Sequence, residues 1–156
     1  MIRPLRKTDK EPIRDIAIST GNFNDDEVAC CLAMVDDALD PHYLPANFAC
    51  YEEDGAIIGF ISYGLDEMTN GTWEIYWVAV RETSQRKGVG KGLMLHAEKE
   101  AKKAKARQLV LQTSSKQNYA HVRRFYEKLG YRKIAVIPDY FAQGDDQEIY
   151  VKRLSK

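Results

Sequence analysis

The run Gln85-Arg86-Lys87-Gly88-Val89-Gly90-Lys91 has the plainest chemical content in this chain. Gly88, Gly90 and Gly92 lie among three cations, directly after an apolar strand-like run and directly before a helix-like one. A helix N-terminus presents unpaired N–H groups and a partial positive charge, so an anion such as a phosphate suits it. Spacing limits which phosphate loop this is. A P-loop needs a glycine where Gln85 stands and a hydroxyl where Gly92 stands. A dinucleotide fingerprint needs its third glycine where Leu93 stands. Both fail. What remains is another phosphate loop, or a glycine-rich turn that only caps a helix.

Two further residues could do acid–base work. Glu74 interrupts the apolar strand-like run Trp73-Glu74-Ile75-Tyr76-Trp77. A buried carboxylate without a partner is costly, and burial raises its pKa towards the range of a general base. An ion pair with a Lys or Arg, or a position at the frayed strand start, would explain it equally. Tyr126, in Phe125-Tyr126-Glu127, offers an O–H donor, or simply a packed core ring beside Phe125.

The six positions 85–90 fit [QR]-x-x-G-x-[GA] at every place, and there the sequence resembles the GNAT superfamily of acyl-CoA-dependent N-acyltransferases. The resemblance extends to the opening Ile2-Arg3-Pro4-Leu5-Arg6 and the helices after it, to the strand ending Val78-Ala79-Val80, and to the segment Phe125 to Tyr131; it covers residues 1 to about 154. It implies acetyl transfer from acetyl-CoA to a primary amine of a small molecule or a protein. It also implies that Gln85, Arg86, Lys87, Gly88, Val89, Gly90 and Lys91 hold the cofactor's pyrophosphate. The backbone of Val78, Ala79 and Val80 would hold the pantetheine arm. Tyr126 then serves the departing thiolate and Glu74 takes the proton of the amine. The family pattern has an asparagine seven residues before the site tyrosine. Here that position is Tyr119, and Asn118, one residue earlier, is the remaining candidate for a cofactor contact. A different class, an acyl-CoA-binding sensor without efficient transfer, shares the same loop.

These residues need a scaffold, and the hydrophobic spacing supplies one. A short strand around Ile2 precedes a helix from Thr8 with Ile13, Ile16 and Ala17 on one side. A second helix carries Val28, Leu32, Val35 and Leu39, capped at Asn24 or Asp25 and closed by Pro41 and Pro45. Two strands follow, joined at Glu53-Asp54-Gly55, and then the strand holding Glu74. The glycine loop opens a helix to about Ala106, with Val89, Leu93 and Ala97 inward and Glu98 paired with Lys102 outside. A buried strand from Gln108 and a helix with Val122, Phe125 and Leu129 inward come next, ended by Gly130. Two strands finish the chain. The order β-α-α-β-β-β-α-β-α-β-β predicts an α/β fold: a single domain, residues 1–154, with a mixed, mostly antiparallel central sheet flanked by helices.

Composition excludes several functions. With 23 basic and 23 acidic residues the net charge is zero, which gives no reason to expect nucleic-acid binding. No apolar run approaches the ~20 residues of a membrane span. Cys30, Cys31 and Cys50 lack metal spacing and are expected as reduced, buried thiols of a cytoplasmic protein. His42, His96 and His121 show no ligand pattern, so no metal is expected. Acids in segments 23–47, 68–71 and 138–146 suit a cationic amine acceptor. The aromatic strands near the C-terminus would permit a homodimer.

Overall fold

The computed structural model describes residues 1–42 and 47–155. Pro45, expected to close the second helix, and residues 43–46 of the first acidic segment lie outside the described residues. The elements are β1 (Ile2–Pro4), α1 (Lys10–Ser19), α2 (Asp25–Leu39), β2 (Asn47–Glu53), β3 (Ala56–Leu65), β4 (Thr72–Val80), α3 (Val89–Lys103), β5 (Gln108–Ser114), α4 (Ala120–Lys128), β6 (Arg132–Ala142) and β7 (Asp145–Arg153). This is the expected element order, and the fold is mixed α/β. The strands run β1-β2-β3-β4-β5-β7-β6, mostly antiparallel, with β4 and β5 parallel. They distribute over two compact units, Met1–Gly64 with Tyr76–Glu100, and Leu65–Ile75 with Ala101–Lys156.

In the first unit, Asn24 caps α2 as its sequence suggests, its Oδ1 accepting from the Glu27 N–H at 2.8 Å. Thr8 does not cap α1. A 3-10 turn, Lys7–Asp9, precedes the helix instead, and the Asp9 carboxylate accepts from the Arg6 N–H at 2.7 Å. Ile13 and Ile16 of α1 and Cys31 and Val35 of α2 are buried with Phe48, Phe60 and Ala79 of the strands. Strand residues alternate in direction, so Gly59, next to Phe60, faces the opposite side. There a Cβ on Gly59 would lie 3.1 Å from Val89 and 3.2 Å from Leu93 of α3, and 3.1 Å from the Ala79 carbonyl oxygen. Glycine at 59 therefore lets the start of α3 approach the end of β4 closely. Three further expectations fail here. Glu98 is only 3 % exposed, on the buried side of α3 rather than its solvent face. The helix stops at Lys103, because Lys105 takes a left-handed φ of 60°. Cys30 is exposed, since adjacent Cys31 takes the inward direction.

Beneath α1, Arg3 reaches Asp9 with both terminal nitrogens (2.8 and 2.9 Å) and Glu52 with Nε. Cys50 Sγ lies 3.8 Å from the Asp9 carboxylate, and burial pushes its thiol up to about 12. Burial alone would raise Asp9, but Arg3 and the Arg6 N–H outweigh it and hold Asp9 below its ordinary value.

In the second unit, residues 72–75 of β4 pair in parallel with residues 108–111 of β5, and β7 lies antiparallel between β5 and β6. Tyr126 is the buried residue of α4, while the expected inward residues Val122, Phe125 and Leu129 are half-buried. Its ring meets those of Tyr131 (6.2 Å) and Tyr150 (6.4 Å). Arg123 ties α4 to the sheet, donating to the Ser114 and Lys116 carbonyls (2.7 and 2.8 Å) and pairing with Glu148 at 3.2 Å.

Candidate active site

The glycine loop opens α3 with backbone donors unspent. Gly88, at φ 82°, is the residue before α3, and its carbonyl accepts the first helical bond, from the Gly92 N–H at 2.9 Å. A glycine has no side chain with which to cap a helix. The N–H groups of Val89, Gly90 and Lys91 are consequently the helix's unsatisfied donors, without a partner among the described residues. A Cβ on Gly88 would meet nothing within 4 Å, so the loop is open above those donors. Arg86, Lys87 and Lys91 are exposed around them, with Arg86 itself at φ 64°. Three N–H groups at the start of a 15-residue helix, with three cations nearby, are groups that attract an anion.

Gln85 does something its motif does not announce: its Nε2 donates to the Val80 carbonyl at 3.3 Å, tying loop to strand. The Arg81 N–H donates to Ile58 of β3 at 2.8 Å. By the alternation of an antiparallel ladder, Ala79 also faces β3, and the peptide groups of Val78 and Val80 point to the other edge. Of the three residues expected to bind through their backbone, Val78 offers both free-edge groups, Val80 offers its N–H because its carbonyl accepts from Gln85, and Ala79 faces β3.

The second unit holds the acid–base candidates. Glu74 is half-buried; burial first, and the nearby Asp66 carboxylate second, raise its pKa above the ordinary 4.5. Gln112 Nε2 lies 3.4 Å from its Oε1, and Gln147 Nε2 donates to Gln112 Oε1 at 2.6 Å. This line of amides, running β7 to β5 to β4, was not foreseen. The polar Gln112 directly after the apolar run Leu109-Val110-Leu111 is its one sequence signal. Burial also pushes the Tyr126 phenol well above its ordinary range. Its hydroxyl has no hydrogen-bond partner among the described residues, an unspent donor in a residue only 7 % exposed. The register puts Glu74 with Val110 and Val151, whereas Tyr150, packed on Tyr126, points to the other face. Glu74 and Tyr126 are thus not side by side; they can act on different atoms in different steps. Asn118 is exposed in the 3-10 turn Gln117–Tyr119. Among the described residues no group of three or more His, Cys, Asp or Glu could hold a metal ion, and no helix is long and apolar enough to cross a membrane.

Residues 13–131 match the Acetyltransferase (GNAT) family. The chain belongs to the GNAT acetyltransferase family. As a GNAT protein it is an acyltransferase, and its relatives agree. It is 30% identical over 140 residues to an uncharacterized N-acetyltransferase of Bacillus subtilis, covering 88% of each chain. The structure of a GNAT-family protein from Desulfovibrio desulfuricans superposes with a TM-score of 0.95 at 30% identity, covering 99% of both chains. A Salmonella typhimurium protein solved with its cofactor acetyl-CoA shares the fold, with a TM-score of 0.78 at 23% identity over 100% of this chain and 94% of that one. The GNAT assignment fits the loop geometry, which suits a diphosphate but neither of the two excluded nucleotide loops.

Proposed function

We propose that this GNAT protein is a single N-acetyltransferase domain, residues 1–154, that moves an acetyl group from acetyl-CoA directly to a primary amine. The observation that carries this reading is the uncapped start of α3, with the N–H groups of Val89, Gly90 and Lys91 open beside Arg86 and Lys87. These groups hold the pyrophosphate. Val78 offers its peptide groups and Val80 its N–H to the pantetheine, Ala79 holds that strand end against β3, Gln85 keeps the loop against it through the Val80 carbonyl, and Asn118 is a further cofactor contact. Acetyl-CoA supplies an activated thioester; the protein's part is to position it and move protons.

Glu74 takes the proton of the incoming ammonium, directly or through one water. Its raised pKa makes it a better base than an exposed carboxylate. Gln112 donates to that carboxylate and orients it. The same Asp66 charge that raises Glu74, with Glu67 beside it, favours a cationic acceptor, whether small molecule or protein amine. The three free thiols fit a reducing, cytoplasmic setting.

Initial rates of thiol release with polyamine and lysyl-peptide acceptors test the role of Glu74. The wild-type kcat/KM climbs with pH through a group titrating above 4.5, and Glu74→Gln lowers it by about 100-fold and removes that limb. An unchanged limb in the variant rejects Glu74 as the base.

A further inference from the structure

Gln147 of β7 is only 3 % exposed, whereas Gln112 of β5 is an exposed side chain. The strand registers put both on one sheet face with Glu74. Glu74 pairs with Val110, Gln112 with Ile149 and Ser114 with Gln147, and alternate residues of a strand share a face. Gln147 therefore lies diagonally beside Gln112, within reach of a long side chain. An exposed glutamine is free to change rotamer and to turn its amide over. Among the described residues the Gln112 amide has two hydrogen bonds: a long one to Glu74, 3.4 Å, and a short one from Gln147, 2.6 Å. The firm contact is the one on the buried side.

The chemistry forces one direction on this line. An ionised carboxylate only accepts, so Gln112 turns its NH2 to Glu74 and its carbonyl away. That carbonyl then takes its proton donor from Gln147. The side chain at 147 thus decides which end of the Gln112 amide meets the carboxylate. We infer that Gln147 is a positioning residue for Glu74, holding the Gln112 amide with its NH2 towards the carboxylate. Only the kinetic consequence rests on the reading of Glu74 as base; the ionisation of Glu74 depends on Gln147 either way. The bond from Gln112 favours the charged carboxylate, and so opposes the rise that burial and the Asp66 charge impose. Other charges nearby are engaged elsewhere. Glu148, next along β7, faces the opposite side, where Arg123 (3.2 Å) and Lys133 (2.9 Å) pair with it. Asp145, on the same side as Gln147, is held by the Ser114 hydroxyl and by Lys116 at 3.7 Å.

Carbon-13 NMR titration of the Glu74 carboxyl, with kcat/KM against pH on the same proteins, tests this. Gln147→Met keeps the side-chain length and loses the donor; the Glu74 midpoint rises by about 0.5–1 pH unit. Gln147→Asn, whose amide falls one carbon short of Gln112, gives the same rise and keeps the site polar. Gln112→Ala gives a similar rise, and Gln112→Ala/Gln147→Met gives no more than either alone, because both act through one hydrogen bond. The kinetic limb moves with the midpoint, kcat falls roughly 5-fold and acetyl-CoA binding is unchanged. A midpoint unmoved in both Gln147 variants, or shifts that add in the double variant, would overturn the inference. A shifted midpoint with an unmoved kinetic limb would support it and reject Glu74 as the base.

Discussion

Tyr126→Phe lowers kcat by about 100-fold or more and leaves acetyl-CoA binding and folding unchanged. The hydroxyl is the one atom removed, and it has no protein partner to lose among the described residues. The ring contacts with Phe125, Tyr131 and Tyr150 persist in phenylalanine. What disappears is the donor that the proposed function assigns to the departing thiolate. Burial raises the phenol's pKa well above its ordinary value of 10, so the Tyr126 hydroxyl keeps its proton through neutral and mildly basic pH. Its activity accordingly shows no basic limb from this residue below pH 10. Steady-state rates and calorimetric binding separate the two effects: a drop confined to kcat marks a group that acts in the transition state. Wild-type kcat in the variant would make Tyr126 a core residue only.

Asp9→Ala has the other large effect, on stability. Removing one partner of a buried ion pair leaves Arg3 with half of its ligands and the Arg6 N–H without an acceptor. The expected cost is about 3 kcal/mol, a fall of roughly 6–12 °C in Tm. The pH dependence has a definite sign. Asp9 and Glu52 are both held below their ordinary values of 3.8 and 4.5, Glu52 chiefly by its hydrogen bond from Arg3. Their contribution is therefore complete above about pH 4.5 and is lost as pH falls through the depressed folded-state values. The gap between wild type and variant in thermal melts should be constant from pH 5 to 7 and shrink below pH 4. A gap that widens on acidification contradicts the clasp.

The sequence carried the architecture further than the site. Helix and strand periodicity, the Asn24 cap and the Asp54-Gly55 turn, observed at φ 51° and 78°, were local signals, and the element order followed from them. The glycine loop's geometry was legible for the same reason: glycine spacing marks the positive-φ turn at Gly88 and the helix start at Val89. Side-chain partners across strands were not legible. Nothing near Glu74 in sequence points to Gln112 and Gln147, because strand register alone brings them together. The 3-10 turn that displaced Thr8 is fixed by Arg3 and Glu52, the latter far along the chain. Glu98 misled because an i,i+4 charge pattern marks a solvent face only where the tertiary fold leaves that face uncovered, and Glu98 is buried.

Calorimetric titration of acetyl-CoA into wild type and Gly90→Glu tests the central claim most directly. The variant places a carboxylate among the three open N–H groups of α3, where it competes with a diphosphate by sterics and by charge. Wild type should bind acetyl-CoA and CoA with similar enthalpy, and the variant should lose both while keeping its fold. Equal binding by both proteins, or none by the wild type, would show that the loop is a turn and not a cradle.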